Sequence, residues 1–121
     1  MSKNAPVKEY RMKQLLEQLP QAHAFTLASL IDAQAGQTVS KTLLHSDAGL
    51  ILLYALAPGE AIAPHHSDGA GYIACLDGEG SFQIDEQTVR LHAGQSLVMP
   101  AGHVHAVKAE TALKMLLVLA F

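Results

Sequence analysis

Turn-forming residues cut this chain into pieces too short for most helices. Gly36, the Asp47–Gly49 stretch, Pro58 with Gly59, Asp77 with Gly78, Gly94, and Pro100 to Gly102 recur from residue 36 onward. Glycine supplies positive φ, proline fixes φ, and aspartate bonds its own backbone, so each cluster marks a reversal of direction. The runs between them read as short strands over residues 24–30, 38–44, 50–57, 71–76, 81–84, 88–91, 96–99, 103–108 and 113–119. One segment departs from this pattern. Over residues 9–19, Met12, Leu15, Leu16 and Leu19 recur at helical spacing, and Pro20 stops the helix. Many short strands with one helix make an all-β antiparallel sandwich or barrel carrying a short N-terminal α-helix. The expected division is an N-terminal arm and helix over residues 1–22 and one β domain over residues 23–121.

Composition narrows the class. With 121 residues, 50% of them hydrophobic and 16% charged, the chain is sized for one domain with its own core and is not a disordered sequence. The net charge of −3 offers no basic stripe for phosphates, so nucleic acid is not an expected partner. The single Cys, Cys75, cannot form an internal disulfide, which suits a reducing cytoplasm. The N-terminus lacks the apolar run of a secretory signal. The apolar runs at residues 50–57 and 115–121 fall far short of the ~20 residues of a membrane-spanning helix. Both runs are apolar on both faces, whereas a strand with one solvated face alternates. Each therefore needs a second cover, from the N-terminal helix and from a second subunit, and a two-fold homodimer is expected.

Two stretches carry a more specific signal. The first runs P-G-E-A-I-A-P-H-H-S-D-G-A-G-Y-I-A-C-L-D-G-E-G from Pro58, and the second runs L-H-A-G-Q-S-L-V-M-P-A-G-H-V-H-A-V-K from Leu91. Gly59 is followed by five residues and His65, with Gly78 closing the first stretch. Gly94 is followed by five residues and Pro100, then Gly102 and His105. This pattern resembles the two motifs of the cupin superfamily, in particular its small single-domain, type 2 conserved barrel members. The resemblance is specific over residues 57–109. It implies a cupin jelly-roll β-barrel (a double-stranded β-helix) with a ligand pocket inside.

The resemblance also implies where a metal would sit. Cupins that hold one use three histidines and a carboxylate, and only His65 and His105 match those positions. Ser67 stands at the second histidine position, Gly71 at the glutamate (with Tyr72 next to it), and Ala109 at the asparagine. Nearby residues offer replacements. Neighbours on a strand point to opposite faces, so His66 joins His65 at one ion only through a bulge. His103 shares the parity of His105, and Asp68 lies in a Gly-rich run. The candidate ligand set is therefore His65, His105 and His103, with His66 or Asp68 fourth. A nitrogen and oxygen shell of this kind suits Zn, Ni, Fe or Mn. The alternative is a metal-free pocket lined by His65, Ser67 and His105.

Other residues fill out the pocket. Cys75 shares the parity of Gly71 and Ile73 and reads as a small inward hydrophobe. Met99 reads as barrel lining, and Tyr54 as a pocket hydroxyl or subunit contact. Tyr72 has the outward parity, and Asp85 with Glu86 reads as a hairpin turn away from the pocket mouth. The functional expectation is a binding or sensor module taking a small molecule, with or without one divalent transition metal. The alternative is a metal-dependent oxygenase or isomerase acting on a small polar substrate.

Overall fold

The computed structural model describes residues 16–66 and 68–121. Nine strands account for most of them: β1 (Thr38–His45), β2 (Gly49–Leu56), β3 (Ala61–His66), β4 (Ala70–Asp77), β5 (Glu79–Ile84), β6 (Gln87–His92), β7 (Ser96–Met99), β8 (Val104–Ala109) and β9 (Leu113–Ala120). They form a five-stranded sheet in the order β1-β2-β9-β4-β7 and a four-stranded sheet in the order β3-β8-β5-β6. Every pairing is antiparallel. The chain crosses between sheets after β2, β3, β4, β6, β7 and β8, the winding of a jelly-roll barrel.

Side-chain alternation sorts each strand into an inner and an outer face. The inner faces meet in one core of Leu56, Ile73, Cys75, Phe82, Leu91, Met99, Val107, Ala109, Leu113 and Met115, with Tyr54, Ile84 and Leu117 packed against it. Phe82, Leu56 and Leu113 are fully buried there. Gly78 shapes the sharp turn from β4 to β5. Its φ is +77°, and a Cβ would collide with the Ala112 carbonyl, so only glycine fits.

The strands β2 and β9 are apolar on both faces for a reason visible in the packing. Leu53, Ala55, Ile51 and Leu116 lie on the outer face of the larger sheet, where Leu19, Leu27, Leu30 and Ile31 cover them. Lys114 on that face pins the covering segment, donating to the Ala28 carbonyl at 2.9 Å and lying 3.5 Å from Asp32 Oδ1. The covering segment corrects one expectation. Residues 24–30 are not a strand; Leu27–Leu30 is a 3-10 turn opened by Thr26, whose carbonyl accepts from the Ser29 hydroxyl and amide. Leu27 and Leu30, three apart, then fall on one side and dock together. The expected helix over residues 9–19 falls mostly outside the described residues; of it, Leu16 and Glu17 are helical and Leu19 packs on the outer face.

The cover stops short. An apolar row crosses all five strands from the covered side outward, Leu44 beside Ile51, Ile51 beside Val118, Val118 beside Tyr72, and Tyr72 beside Val98. Val98 is 63% exposed and Tyr72 41%.

The strand β3 was not expected. Pro64 and the neighbouring glycine-rich run break the strand pattern, and proline is tolerated here because β3 is an edge strand, paired on one side only. Its register with β8 shifts between Ile62 and His65, a bulge beside the proline.

Phe82 sits at 0% exposure in the centre of the inner core. Phe82→Ala is expected to lower the free energy of unfolding by about 3–5 kcal/mol, read from urea denaturation.

Candidate functional site

Two crossovers at one end of the barrel build the site. The chain crosses from β3 to β4 between His66 and Ala70, and the turn at residues 100–103 carries it from β7 to β8. The inward residues nearest these crossovers are His65 on β3, Gly71 on β4, Met99 on β7 and His105 on β8. Pairing then sets them in two couples: His65 opposite His105 in the smaller sheet, and Gly71 opposite Met99 in the larger.

The imidazoles of His65 and His105 are in contact. Their centroids are 4.2 Å apart and their planes lie at 72°, an edge-to-face pair. His105 is buried at 6% exposure, whereas His65 stands exposed at the mouth. Each ring is oriented by its own strand: His65 Nδ1 lies 2.9 Å from the Ala63 carbonyl and His105 Nδ1 lies 3.3 Å from the His103 carbonyl. A carbonyl only accepts, so both Nδ1 atoms donate their hydrogen. The neutral rings are therefore Nδ1–H tautomers, and each presents an Nε2 lone pair. Burial, followed by the neighbouring His65, pushes the His105 pKa below its ordinary value.

His103 goes elsewhere. It lies in the turn before β8, and its Nδ1 bonds Asp85 Oδ2. The Val104 amide donates to Asp85 Oδ1 at 3.2 Å, and the Asp85 amide donates to the Val104 carbonyl at 2.8 Å. Asp85 adopts a φ of +53° in the β5–β6 turn, a conformation that aspartate tolerates better than most residues. The bond from His103 holds its carboxyl below the usual range. Asp85 therefore sits beside the mouth, not away from it as expected. It clamps the start of β8 and so fixes His105. Asp85 and His105 share the lining of a cavity of about 60 Å³. Position 85 gives no sequence signal for this, because turn aspartates are common for local reasons.

The remaining candidates are dispersed. His66 follows His65 in β3, is exposed, and pairs in register with the outward Val104. The bulge that would bring both histidines to one side lies before His65, not between the two. Asp68 is exposed in the crossover, and Ser67 lies outside the described residues. Cys75 is buried, with its thiol donating to the Gly78 carbonyl at 3.5 Å, and burial pushes its pKa up. Tyr54 packs against the inner core, where burial raises its pKa. Met99 is buried at 3% exposure.

A family model described as a cupin domain matches residues 52–119. The chain belongs to the cupin superfamily. A conserved protein of unknown function from Streptococcus pyogenes is 33% identical over 84% of this chain and 90% of that one, with a TM-score of 0.82. A cupin superfamily protein from Desulfitobacterium hafniense is also 33% identical, over 88% of this chain and 97% of that one, with a TM-score of 0.84. At greater distance, a predicted oxalate decarboxylase from Thermotoga maritima is 26% identical over 71% of this chain and 82% of that one, with a TM-score of 0.66. No curated protein matches the sequence.

Cupins commonly hold a divalent metal. The residues here do not fit the three-histidine, one-carboxylate shell. Gly71 brings no donor to the glutamate position, and a Cβ there would lie 2.8 Å from the Met99 methyl, which occupies that space. His103 is bonded to Asp85. Ala109 is buried and carries no donor. Among the described residues no three of His, Cys, Asp or Glu gather closely enough to hold an ion. What remains at these positions is an imidazole pair, each ring bonded to a backbone carbonyl.

The lowered pKa of His105 sets the sign of a pH effect in the metal-free protein. The unfolded chain takes up this proton first, near the ordinary value of 6.5. The contribution to stability is therefore fully present above that pH and declines as pH falls below it, until the folded form also protonates. His105 is expected to titrate below 6.5 by NMR, as the Nδ1–H tautomer, and His105→Gln to flatten the fall in stability below that pH.

Proposed function

We propose that this cupin is a binding module whose barrel mouth takes a small polar molecule through hydrogen bonds donated to His65 and His105. The observation that carries the reading is the tautomer. Both Nδ1 hydrogens are committed to backbone carbonyls, so each ring offers its Nε2 as an acceptor, and the rings stand 4.2 Å apart. A ligand with hydroxyl or amine donors satisfies both. His105, at 6% exposure, is shielded from bulk water, which strengthens a hydrogen bond made there. Below the pair the barrel is packed with Phe82 and Val107, so the ligand is small and sits at the mouth.

The second reading is a metal-dependent enzyme, and the distant likeness to the predicted oxalate decarboxylase from Thermotoga maritima favours it. Against it stands the missing carboxylate at Gly71. The binding reading is therefore preferred.

The reading includes a homodimer. Its support is the exposed Val98 and Tyr72, with the half-buried Val118 beside them on the outer face of the larger sheet, apolar surface of the kind buried between subunits.

The mouth is tested by thermal shift against a panel of polyols, hydroxy acids and amino alcohols. A ligand at a hundred times its Kd adds about 2.7 kcal/mol, a Tm rise of roughly 10 °C for a domain of this size. The expected result is a rise in the wild type that His105→Ala removes. A panel that shifts neither protein, or both alike, overturns the reading. The dimer is tested by light scattering at micromolar concentration. The expected mass is twice the 12.9 kDa of one chain, falling to one chain in Val98→Lys.

A further inference from the structure

The outer face of the smaller sheet carries a groove of about 330 Å³, against about 60 Å³ for the cavity beside His105. Strand parity places it outside the barrel. Phe82 and Val107 pair with each other and are buried in the inner core, so Ser81, Gln83, Ala106 and Lys108 on either side of them face outward. The groove exists because small residues stand where strands ordinarily carry larger ones: Ala61, Ala63 and Ala106 line it. Pro64, in the bulge of the edge strand β3, lines it too, as do Gln83 and Thr88, which pair in register.

We propose that this groove binds a small monocarboxylic acid, with its carboxylate on the Lys108 ammonium and its apolar body along the alanines and Pro64. The first support is charge. Acids outnumber bases in this chain, 11 Asp and Glu against 8 Lys and Arg, yet the groove's lining among the described residues holds one cation, Lys108, and no carboxylate. Arg90 pairs with Glu79 at 2.7 Å and Lys114 lies 3.5 Å from Asp32, whereas the Lys108 ammonium has no ion pair or hydrogen bond among the described residues. Glu110, two residues along the chain, accepts from the Ser81 hydroxyl at 3.0 Å. The second support is the apolar wall. A surface lysine and a carboxylate attract each other weakly in water, so a ligand here must also cover carbon, and the alanines and Pro64 supply it. The third is size. The volume falls in the range of small-molecule pockets. The position of Lys108 lies two residues along β8 from that of Ala106, roughly 7 Å, which suits the length of hexanoate or benzoate.

The groove and the barrel mouth share β8 but not a face. His105 and Val107 point into the barrel, and Ala106 and Lys108 point away from it. The acid site therefore stands independently of the reading of the two imidazoles, and either can fail alone.

The experiment is NMR titration of the full, isotope-labelled chain with hexanoate and benzoate, beside acetate and the neutral amides of the two longer acids. The expected result is saturable shifts at the amides of Ala61, Gln83, Thr88 and Ala106, with acetate and both amides at least tenfold weaker. Lys108 is exposed, so its substitutions are compatible with folding. Lys108→Met, which keeps the stem and removes the charge, is expected to weaken hexanoate at least tenfold, and Lys108→Arg to restore most of the affinity. Ala106→Leu, which fills the floor, is expected to abolish binding of both acids, and His65→Ala to leave it unchanged. No saturable shift at millimolar acid, amides that bind as well as acids, or equal affinity in the wild type and Lys108→Met overturns the proposal. Tighter binding of tetraglutamate than of hexanoate overturns it in favour of an acidic protein partner. Groove signals that move on dilution without acid overturn it in favour of a contact between copies of this chain.

Discussion

The register between β3 and β8 governs the mouth of the barrel. In an antiparallel pair, a slip of one residue turns every side chain on a strand to the other face. With His65 opposite His105, both imidazoles point inward and touch. Shifted by one, His66 would take the place of His65 opposite His105, and His65 would turn to the outer face. The bulge between Ile62 and His65 sets this register, and it lies beside Pro64, which has no amide to donate. Across the pair, the Asp85 clamp fixes the start of β8 through His103 and the Val104 amide. Two local devices, a proline-linked bulge and an aspartate in positive φ, thus hold one inter-strand contact in place.

Most of the fold was legible in the sequence because its signals are local. Glycines at 59, 78, 94 and 102 take positive φ in the structure, as their places between apolar runs suggest. The strands from β4 to β9 fall close to their expected positions for the same reason. The errors have a common physical origin. The run at residues 24–30 is apolar enough for a strand, yet it crosses the outside of a sheet, where a 3-10 turn brings Leu27 and Leu30 to one side. The strand β3 was hidden because Ala61–His66 lacks alternation and contains a proline, which an edge position forgives. Edge status and docking on a sheet are tertiary facts, and no window of neighbouring residues contains them.

The mouth was half legible. The motif spacing brought His65 and His105 together from positions far apart in sequence, and parity placed Gly71, Cys75 and Met99 inside. Parity could not say where His103 would go. Its partner, Asp85, is supplied by a hairpin that reaches β8 only because β5 pairs with β8, Ile84 opposite His105. Nor could the sequence show that Met99 reaches Gly71. The two residues are far apart along the chain, and only the pairing of β4 with β7 makes them neighbours.

That last neighbourhood links two departures from the cupin pattern that look independent in sequence. A carboxylate at position 71 would begin with a Cβ 2.8 Å from the Met99 methyl. The thioether would then have to swing out of the volume it fills. Position 71 and Met99 therefore compete for one space, and in this chain the Met99 methyl fills it. The exchange removes a negative charge from the mouth and adds apolar surface to its wall. It leaves the two imidazoles, each bonded to a backbone carbonyl, as the polar groups around which the site is organised. The barrel thus keeps the cupin scaffold while its wall at position 71 becomes uncharged and apolar.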